Sequence, residues 1–359
     1  MLLLTWYGLI NMQNYTLLPE WAKQEAVILA WPHAGTDWAE NLVNAQHTYV
    51  ALINAVNRAN AVVLLLCPQD EIDAATAALA SNNQVLIVPS EYNDTWVRDY
   101  GFLTVSDNHK NYPISFTFNG WGQKFDATKD NQINSSLAKL CQQALIENLV
   151  VLEGGALEID ENQHLLSTAS CLYNPKRNAY MTSDEYHTLF IECLGAKKVT
   201  IFNHGHLEGD DTDGHIDTLV RFTPLKAIVL QGADNRPHDP HFAELFKLQY
   251  EVSQALPTHK IYSLPLPLVL DDEGTRLPAS YANYLIVNQH IIMPIYGQSE
   301  DENALVIIQS AHPNYTIVPV LCHSLVQQNG SLHCVTMQVP TNTIKPEIIA
   351  KAQLGVSIL

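Results

Sequence analysis

Short apolar runs recur along the whole chain, and segments with a helical period of apolar positions lie between them. The runs are rich in β-branched residues and are bounded by Pro, Gly, Asn or Asp, which favours buried strands over helices. The predicted strands are Ala26–Ala30, Ala61–Cys67, Val85–Val88, Phe102–Val105, Leu149–Leu152, Lys198–Phe202, His215–Phe222, Ala227–Leu230, Tyr284–Asn288, His290–Ile295 and Cys334–Val339.

The segments between the runs are amphipathic and predict helices. The predicted helices are Asp37–Asn60, Asp70–Leu79, Asp130–Glu147, Ser183–Leu194, Pro240–Leu256 and Asp301–Ser310. Short polar side chains that can accept a hydrogen bond from a free N–H of the first turn stand at four of these starts, namely Asp37, Asp70, Asp130 and Ser183. At Ser183 the cap is incomplete, because Tyr186 occupies the position where a capping box carries Glu.

This alternation of strands and helices continues from end to end without a Ser/Gly-rich linker. The sequence therefore predicts one mixed α/β domain over residues 1–359, built from repeated strand–strand–helix–strand units. The adjacent runs Tyr284–Asn288 and His290–Ile295 resemble a hairpin, so the sheets are not expected to be purely parallel.

The charge balance restricts the partners that the protein can bind. The chain has 37 acidic and 19 basic side chains and a formal charge of −18. Binding to nucleic acid requires clustered Lys and Arg, so a polyanionic partner is not expected. A cationic small molecule suits this charge better.

Two further features concern the cellular location. The sequence lacks an uncharged apolar run long enough to cross a membrane, and its six cysteines form no CxxC pair. We therefore expect neither a membrane span, a disulfide framework nor a structural zinc site, and we expect a reducing cytoplasm. The apolar opening Met1–Ile10 has no basic region typical of a signal peptide, and Met12 is an alternative start that would make residues 1–11 a start-site artefact.

Two segments are rich in groups that can bind a flat cation. In Asn93–Gly101, carboxylates flank Trp96 and Arg98, and a carboxylate and an indole face both attract a guanidinium group. The alternative is a structural loop in which Asp94 caps a turn and Arg98 pairs internally. In Leu152–Gly155, Glu153 ends an apolar strand before two glycines, which permits close approach of a ligand but also fits a tight turn with a solvated Glu.

The segment His204–Asp217 is dense in His and carboxylate residues and at first suggests a metal site. A calcium loop with Gly214 at its glycine position would place Gly209 and Val220 at ligand positions, and the HExxH spacing of zinc sites is absent. We therefore expect no metal. On the predicted strand, His215 and Asp217 are two residues apart and so share one face.

Cys334 follows a glycine-containing loop and begins the last predicted strand, a position suited to the rim of a pocket. A free cysteine is usually a small buried hydrophobe, and this is our interpretation of Cys67 and Cys322. Cys334 differs because of its polar approach and because His215 is available as the partner that covalent thiol catalysis requires.

Taken in order, these segments resemble the agmatine deiminase family of the guanidine-modifying pentein superfamily, which also holds bacterial peptidyl-arginine deiminases. The resemblance lies in Leu18–Trp21, Ala30–His33, Thr36–Trp38, Asn93–Gly101, Phe118–Gly122, Leu152–Gly155, Asn174–Asn178, Gly214–Asp217, Ala279–Asn283 and His333–Thr336. The chain departs from the family pattern at Phe102, where Pro is usual, and at Gln328–Gly330, where three glycines are usual. The segment after Trp121 is also shorter than in many members.

The resemblance implies a pseudo-five-fold α/β propeller of ββαβ units around a central active site, and a hydrolysis without metal or cofactor. Cys334 would attack the guanidinium carbon and form a covalent thiouronium. His215 would protonate the departing ammonia and then deprotonate the attacking water. Asp99 and Asp217 match the family's guanidinium-binding carboxylates, and Glu153 matches the carboxylate beside the catalytic His.

The expected substrate is agmatine, which would give N-carbamoylputrescine and ammonia on a route to putrescine and polyamines. Trp96 and Trp121 would pack along the methylenes, and Asp211 would accept the distal amine. Peptidyl-arginine deiminase is the second hypothesis, and a non-catalytic binder of cationic amines is the third. A homo-oligomer is expected from size and family.

Overall fold

The computed structural model describes residues 15–80 and 83–359, so the expected start-site artefact at residues 1–11 lies outside the described residues. The strands of the described part are β1 (Thr16–Leu17), β2 (Gln24–Ala30), β3 (Val62–Cys67), β4 (Val85–Pro89), β5 (Leu103–Ser106), β6 (Asn111–Thr117), β7 (Ile146–Val151), β8 (Glu158–Ile159), β9 (His164–Thr168), β10 (Lys198–Phe202), β11 (Val220–Phe222), β12 (Ala227–Gln231), β13 (Lys260–Leu264), β14 (Leu285–Val287), β15 (His290–Ile295), β16 (Thr316–Leu321), β17 (Met337–Pro340) and β18 (Val356–Ile358).

Helices connect these strands. They are α1 (Leu42–Arg58), α2 (Ile72–Ala78), α3 (Val97–Tyr100), α4 (Gly120–Gln123), α5 (Ile133–Leu137), α6 (Ala169–Leu172), α7 (Pro175–Asn178), α8 (Ser183–Leu194), α9 (Phe242–Ala255), α10 (Asp301–Ala311), α11 (His323–Val326) and α12 (Pro346–Gln353). The expected mixed α/β class is therefore observed.

The described strands form five sheets, in the orders β1-β5-β6-β7, β8-β9-β10, β11-β12-β13, β14-β15-β16 and β17-β2-β3-β4-β18. One unit recurs in all five: an antiparallel pair, then a helical segment, then a strand parallel to the second member of the pair. Four units are contiguous in the chain, as β5-β6-α4-α5-β7, β8-β9-α6-α7-α8-β10, β11-β12-α9-β13 and β14-β15-α10-β16.

The sheet β17-β2-β3-β4-β18 joins the two ends of the chain. Its first strand comes from the C-terminal part and pairs antiparallel with β2, so the unit β17-β2-α1-β3 is assembled from distant segments. The runs Ala26–Ala30 and Val62–Cys67 are completely or almost completely buried here, as expected for central parallel strands. Phe102, where the family usually has Pro, is also buried in the core.

Two strand predictions near the site were wrong. Only Val220–Phe222 of the predicted strand His215–Phe222 is extended, because Ile216–Thr218 forms a 3-10 turn after Gly214 at φ +85°. His215 and Asp217 therefore do not share a strand face. The predicted strand Cys334–Val339 begins only at Met337, and Cys334 lies in the turn that precedes it.

The helix Asp130–Glu147 was also predicted too long. Its α-helical part is Ile133–Leu137, and Ile146 already begins β7. Asp130 caps no α-helix, because its carboxylate accepts the backbone N–H groups of Asn93 and Asp94 at 2.7 and 3.4 Å.

The other predicted caps need correction as well. At α8 the cap is Thr182 instead of Ser183, and it forms a complete capping box with Glu185. The helix predicted from Asp37 begins at Leu42 after a 3-10 turn, and the helix predicted from Asp70 begins at Ile72, both without a capping side chain. Among the described residues, none of the helices is both long and apolar enough to span a lipid bilayer.

Candidate active site

Loops and short turns at the ends of strands carry the predicted catalytic side chains. Asp99 lies on α3, and Glu153 lies two residues after the end of β7. His215 and Asp217 lie in the turn before β11, and Cys334 lies before β17. All five side chains are buried.

Gly155 shows how tightly three of these side chains are packed together. A Cβ atom at this position would lie 2.6 Å from His215 Nδ1, 2.8 Å from Asp99 Oδ1 and 3.2 Å from Asp217 Oδ2. The Gly155 N–H also donates to Asp99 Oδ1 at 3.0 Å. Glycine is therefore required here for close backbone approach, as its position after Glu153 suggested.

Asp99 is also held by a tryptophan. The Trp121 indole Nε1–H donates to Asp99 Oδ2 at 2.9 Å, from a backbone in the left-handed region at φ 54° and ψ 51°. Such a conformation is unfavourable for a bulky residue and typical of functional sites. Burial raises the pKa of Asp99, and the Asp217 charge adds to this, while His215 opposes it.

His215 lies between two carboxylates. Its Nδ1 is 3.5 Å from Asp99 Oδ1, and its Nε2 is 3.9 Å from Glu153 Oε2. Neither ring nitrogen has a hydrogen-bond partner among the described residues. Burial favours the neutral ring, but Asp99 and Cys171, with Glu153, outweigh it and raise the pKa of His215 well above its ordinary value. The ring can therefore act as a proton donor.

Glu153 is fixed by Arg177, which the sequence analysis did not identify as a site residue. Arg177 Nε donates to both Glu153 oxygens at 2.8 and 3.0 Å, and Arg177 Nη1 donates to Asp213 at 2.6 Å. Burial alone would raise the pKa of Glu153, but His215 and Arg177 together lower it. Glu153 is therefore a charged neighbour of His215. The only sequence signal for Arg177 was its place in the family segment Asn174–Asn178.

Cys334 is 6% exposed, and its Sγ lies 3.5 Å from Asn283 Oδ1. The Arg98 backbone N–H donates to the Cys334 carbonyl at 3.1 Å, which ties the loop of Cys334 to α3. Burial raises the pKa of the Cys334 thiol well above its ordinary value, and the charges of Asp217 and Asp99 raise it further.

A cavity of about 210 Å³ leads to Cys334 and Asp99. The described residues that line it are Asp37, Asp94, Trp96, Asp99, Trp121, Phe125, Leu207, Asp210, Asp211, Thr212, Thr218, Pro278, Asn283, Gln328, Asn329, Gly330, Ser331 and Cys334. The three predicted substrate-binding residues Trp96, Trp121 and Asp211 are thus on its wall, with the difference that Trp121 also binds Asp99.

The residues that replace the family's glycines build part of this wall. Asn329 adopts φ 62° and donates from Nδ2 to Asp211 Oδ2 at 3.1 Å, and Gln328 Nε2 donates to the Asp37 carbonyl at 2.9 Å. A Cβ at Gly330 would lie 2.1 Å from Trp96 Cζ3, so the remaining glycine is required by contact with the indole. The substitutions therefore add side-chain contacts with Asp211 and Asp37 to the wall of the cavity.

One group of side chains has the composition of a metal site. Ligand atoms of Glu153, Cys171 and His215 lie within 4.8 Å of one another, and all three residues are buried. Arg177 already donates to both Glu153 oxygens, so a second cation at this carboxylate would be repelled. This donor set does not favour a metal ion.

Comparison with known proteins assigns the family. A model described as Porphyromonas-type peptidyl-arginine deiminase matches residues 16–340. A Marinomonas sp. (strain MWYL1) protein named "Putative agmatine deiminase" is 29% identical, over 94% of this chain and 97% of its own.

Two solved structures are similar throughout. An agmatine deiminase of C. jejuni with substrate bound has a TM-score of 0.86 and 31% identity, over 92% of this chain and 97% of that chain. The "Putative Arginine Deiminase" of Porphyromonas gingivalis has a TM-score of 0.84 and 37% identity, over 92% of this chain and 100% of that chain.

The family expected from the sequence motifs is confirmed by these matches. The chain belongs to the Porphyromonas-type peptidyl-arginine deiminase family, which includes the agmatine deiminases, and it is a hydrolase that acts on an amidine or guanidino group.

Proposed function

We propose that this enzyme hydrolyses agmatine to N-carbamoylputrescine and ammonia, as a step towards putrescine and polyamines. The main support for this proposal is the composition of the cavity. Five of its described lining residues are Asp and none is Lys or Arg, and Cys334 is also part of the wall. Such a wall attracts a dication and repels the carboxylate of free arginine.

The first half-reaction forms the covalent intermediate. The bound guanidinium places a positive charge beside Cys334, which opposes the effect of Asp99 and Asp217 on its pKa, and the thiol releases its proton to solvent as the substrate binds. The thiolate attacks the guanidinium carbon. The His215 imidazolium then protonates one amino group, which leaves as ammonia and gives a thiouronium on sulfur.

The second half-reaction regenerates the enzyme. His215, now neutral, takes a proton from water as the water oxygen attacks the thiouronium carbon. The carbon–sulfur bond then breaks as the remaining hydroxyl proton of the tetrahedral intermediate passes to sulfur, and the ureido product and the Cys334 thiol separate. Throughout, Asp99 and Asp217 stabilise the positive charge on the reacting group, and Glu153 keeps His215 oriented.

The distal ammonium of agmatine needs a carboxylate whose oxygens are available. Asp211, expected in this role, has one oxygen occupied by Asn329 at 3.1 Å, and Asp94 has one oxygen occupied by the Thr95 N–H at 2.7 Å, so each keeps one oxygen for the ammonium. Asp94 lies on the same wall, and burial together with the charge of Asp37 raises its pKa to about 6. A cation bound there would relieve this repulsion, so we propose Asp94 as the principal acceptor and Asp211 as a second one.

Two broader features complete the proposal. The five strand–strand–helix–strand units support a ring arrangement, the α/β propeller that the family resemblance implies. All six cysteines are free, which fits a reducing cytoplasm.

Ammonia release from agmatine, free arginine and benzoyl-arginine amide, measured in EDTA, tests this proposal. We expect turnover of agmatine alone, and loss of that turnover in Cys334→Ala. The family model makes peptidyl-arginine deiminase the second candidate, and turnover of the blocked arginine alone would establish it. Agmatine binding by calorimetry without any ammonia release would instead identify a non-catalytic amine binder.

A further inference from the structure

A buried chain of two carboxylates and one imidazole adjoins the reacting groups. We propose that Glu20 and His333 are positioning residues that hold Asp217 and Cys334 in the geometry required for attack on the guanidinium carbon. The inference deepens the proposed function and rests on it.

The first observation is the environment of the His333 ring. Its Nδ1 lies 2.7 Å from Asp217 Oδ2, and its Nε2 lies 2.7 Å from Glu20 Oε2. Arg221 Nη2 also lies 3.4 Å from Nε2, so the ring is enclosed by two carboxylates and a guanidinium group. Two short charge-assisted hydrogen bonds therefore fix its orientation.

The second observation is the state of Asp217. His333 engages Oδ2, while Oδ1 is buried and has no partner among the described residues. Burial alone would raise the pKa of Asp217, but the bond to His333 helps to lower it, so the carboxylate is charged. An unpartnered buried carboxylate oxygen is costly unless a ligand donates to it. By engaging one oxygen, His333 determines which one is left for a guanidinium N–H.

The third observation is that Glu20 is rigidly held. Its Oε2 also accepts from Arg221 Nη2 at 2.8 Å, and its Oε1 accepts from the Ile286 N–H at 2.7 Å. Burial alone would raise the pKa of Glu20, but Arg221 and His333 hold it well below its ordinary value. Glu20 is thus a fixed negative anchor for His333.

The fourth observation connects this anchor to the nucleophile. The His333 backbone N–H donates to Asn283 Oδ1 at 2.9 Å, and the same oxygen lies 3.5 Å from Cys334 Sγ. Because Cys334 directly follows His333, the contacts that anchor the His333 side chain also restrain the backbone that carries the thiol. His333 therefore helps to position both Cys334, the nucleophile, and Asp217, the carboxylate that binds the guanidinium group.

Glu20→Gln with Glu158→Gln as matched control tests the anchor. Glu158 is equally buried and also pairs with Arg221, at 2.9 Å, but it forms no hydrogen bond to His333. Both variants should lower Tm. Only Glu20→Gln should lower kcat/KM, by about tenfold to a hundredfold with a larger effect on kcat than on KM, as for a small misplacement of reacting groups. Equal kcat/KM in the two variants would overturn the proposal.

A second pair of variants separates the two contacts of the ring. His333→Asn keeps an N–H near the Nδ1 position facing Asp217, and His333→Gln keeps one near the Nε2 position facing Glu20. We expect His333→Asn to retain more activity than His333→Gln, because the contact with Asp217 acts on the substrate. The same activity in both would show a merely structural histidine.

Alkylation of Cys334 by 2-chloroacetamidine, a small cationic amidine, distinguishes failure of this inference from failure of the proposed substrate. Its rate depends on Asp217 and the thiol but not on agmatine turnover. If the wild type does not hydrolyse agmatine, slower alkylation in Glu20→Gln than in Glu158→Gln still supports the positioning role. Equal alkylation rates in the two variants refute it.

Discussion

The surroundings of Cys334 keep its thiol protonated until a cation binds. Burial and two nearby carboxylates hold the pKa of the thiol well above its ordinary value. In the proposed mechanism the same carboxylates bind a guanidinium group, whose positive charge offsets their effect on the pKa of the thiol. Reactivity of Cys334 is thus coupled to the charge of the incoming molecule, which limits reaction with neutral electrophiles.

We predict that iodoacetamide, a neutral reagent, alkylates Cys334 slowly, whereas 2-chloroacetamidine alkylates it much faster and is blocked by agmatine. Mass spectrometry of the modified peptides measures both rates. Cys141 is a control within the chain, because it is 4% exposed and burial raises its pKa to about 12 without neighbouring carboxylates of the site. Equal rates for the two reagents at Cys334 would contradict the substrate-assisted thiolate.

Asp94 provides a prediction for pH. Its pKa of about 6 means that the carboxylate is charged above this pH and becomes neutral as the pH falls through it. The KM for agmatine should therefore rise below about pH 6 in the wild type. In Asp94→Asn the KM should be about tenfold higher, as for loss of a hydrogen bond to a charged group, and should no longer change in this range.

Asp211→Asn is the matched variant for this measurement, since Asp211 lines the same cavity. It should keep the change in KM near pH 6. If Asp211→Asn abolishes that change and Asp94→Asn preserves it, the distal ammonium binds at Asp211 as the sequence first suggested.

At the scale of an element, the capping box of α8 illustrates how one residue sets a helix boundary. Thr182 accepts from the Glu185 N–H at 3.3 Å, and Glu185 Oε2 accepts from the Thr182 N–H at 2.7 Å. Thr182→Ala should lower the free energy of unfolding by about 1 kcal/mol, measured by urea denaturation, with unchanged turnover. Ser183→Ala should change it much less, and a larger effect there would restore the cap expected from the sequence.

The strands predicted best are those with continuous apolar character. Lys198–Phe202 and His290–Ile295 have the predicted bounds, because both are short runs rich in β-branched residues, although only His290–Ile295 is largely buried. The strands β1, β6, β8, β9, β13, β16 and β18 were missed. They mix polar and apolar positions, and β16 contains Pro319, which reads as a strand breaker.

The sequence predicted which residues form the candidate site, but it did not predict how they are arranged in space. The motif placed His215 and Asp217 together, yet the positive φ of Gly214 replaces the expected strand with a turn. Contacts between distant segments, such as Glu20 with His333, have no local signal at all. Such pairs require the fold, because nothing in either segment specifies its partner.

At the scale of the whole molecule, the charge of −18 acts on every approaching cation. We predict that kcat/KM for agmatine falls as ionic strength rises, because salt screens the attraction. Benzylguanidinium, a monocation, serves as the reference. Its kcat/KM, or its affinity if it only binds competitively, should fall about half as steeply with ionic strength. An identical slope for both cations would show that the distal charge is not attracted by the protein.

The sheet that joins the chain ends has a consequence for biosynthesis. Strands β2 and β3 leave the ribosome early, but β17 and β18, which cover the two edges of their sheet, are made last. Until then the most apolar strands have open edges, which favour pairing with other chains. The edge strand β17 begins three residues after Cys334, so nascent chains that stop before Cys334 lack both the proposed nucleophile and the edge cover. Incomplete chains should therefore be inactive and prone to aggregate. A chaperone that binds β2–β4 would protect these open edges until β17 and β18 have been synthesised.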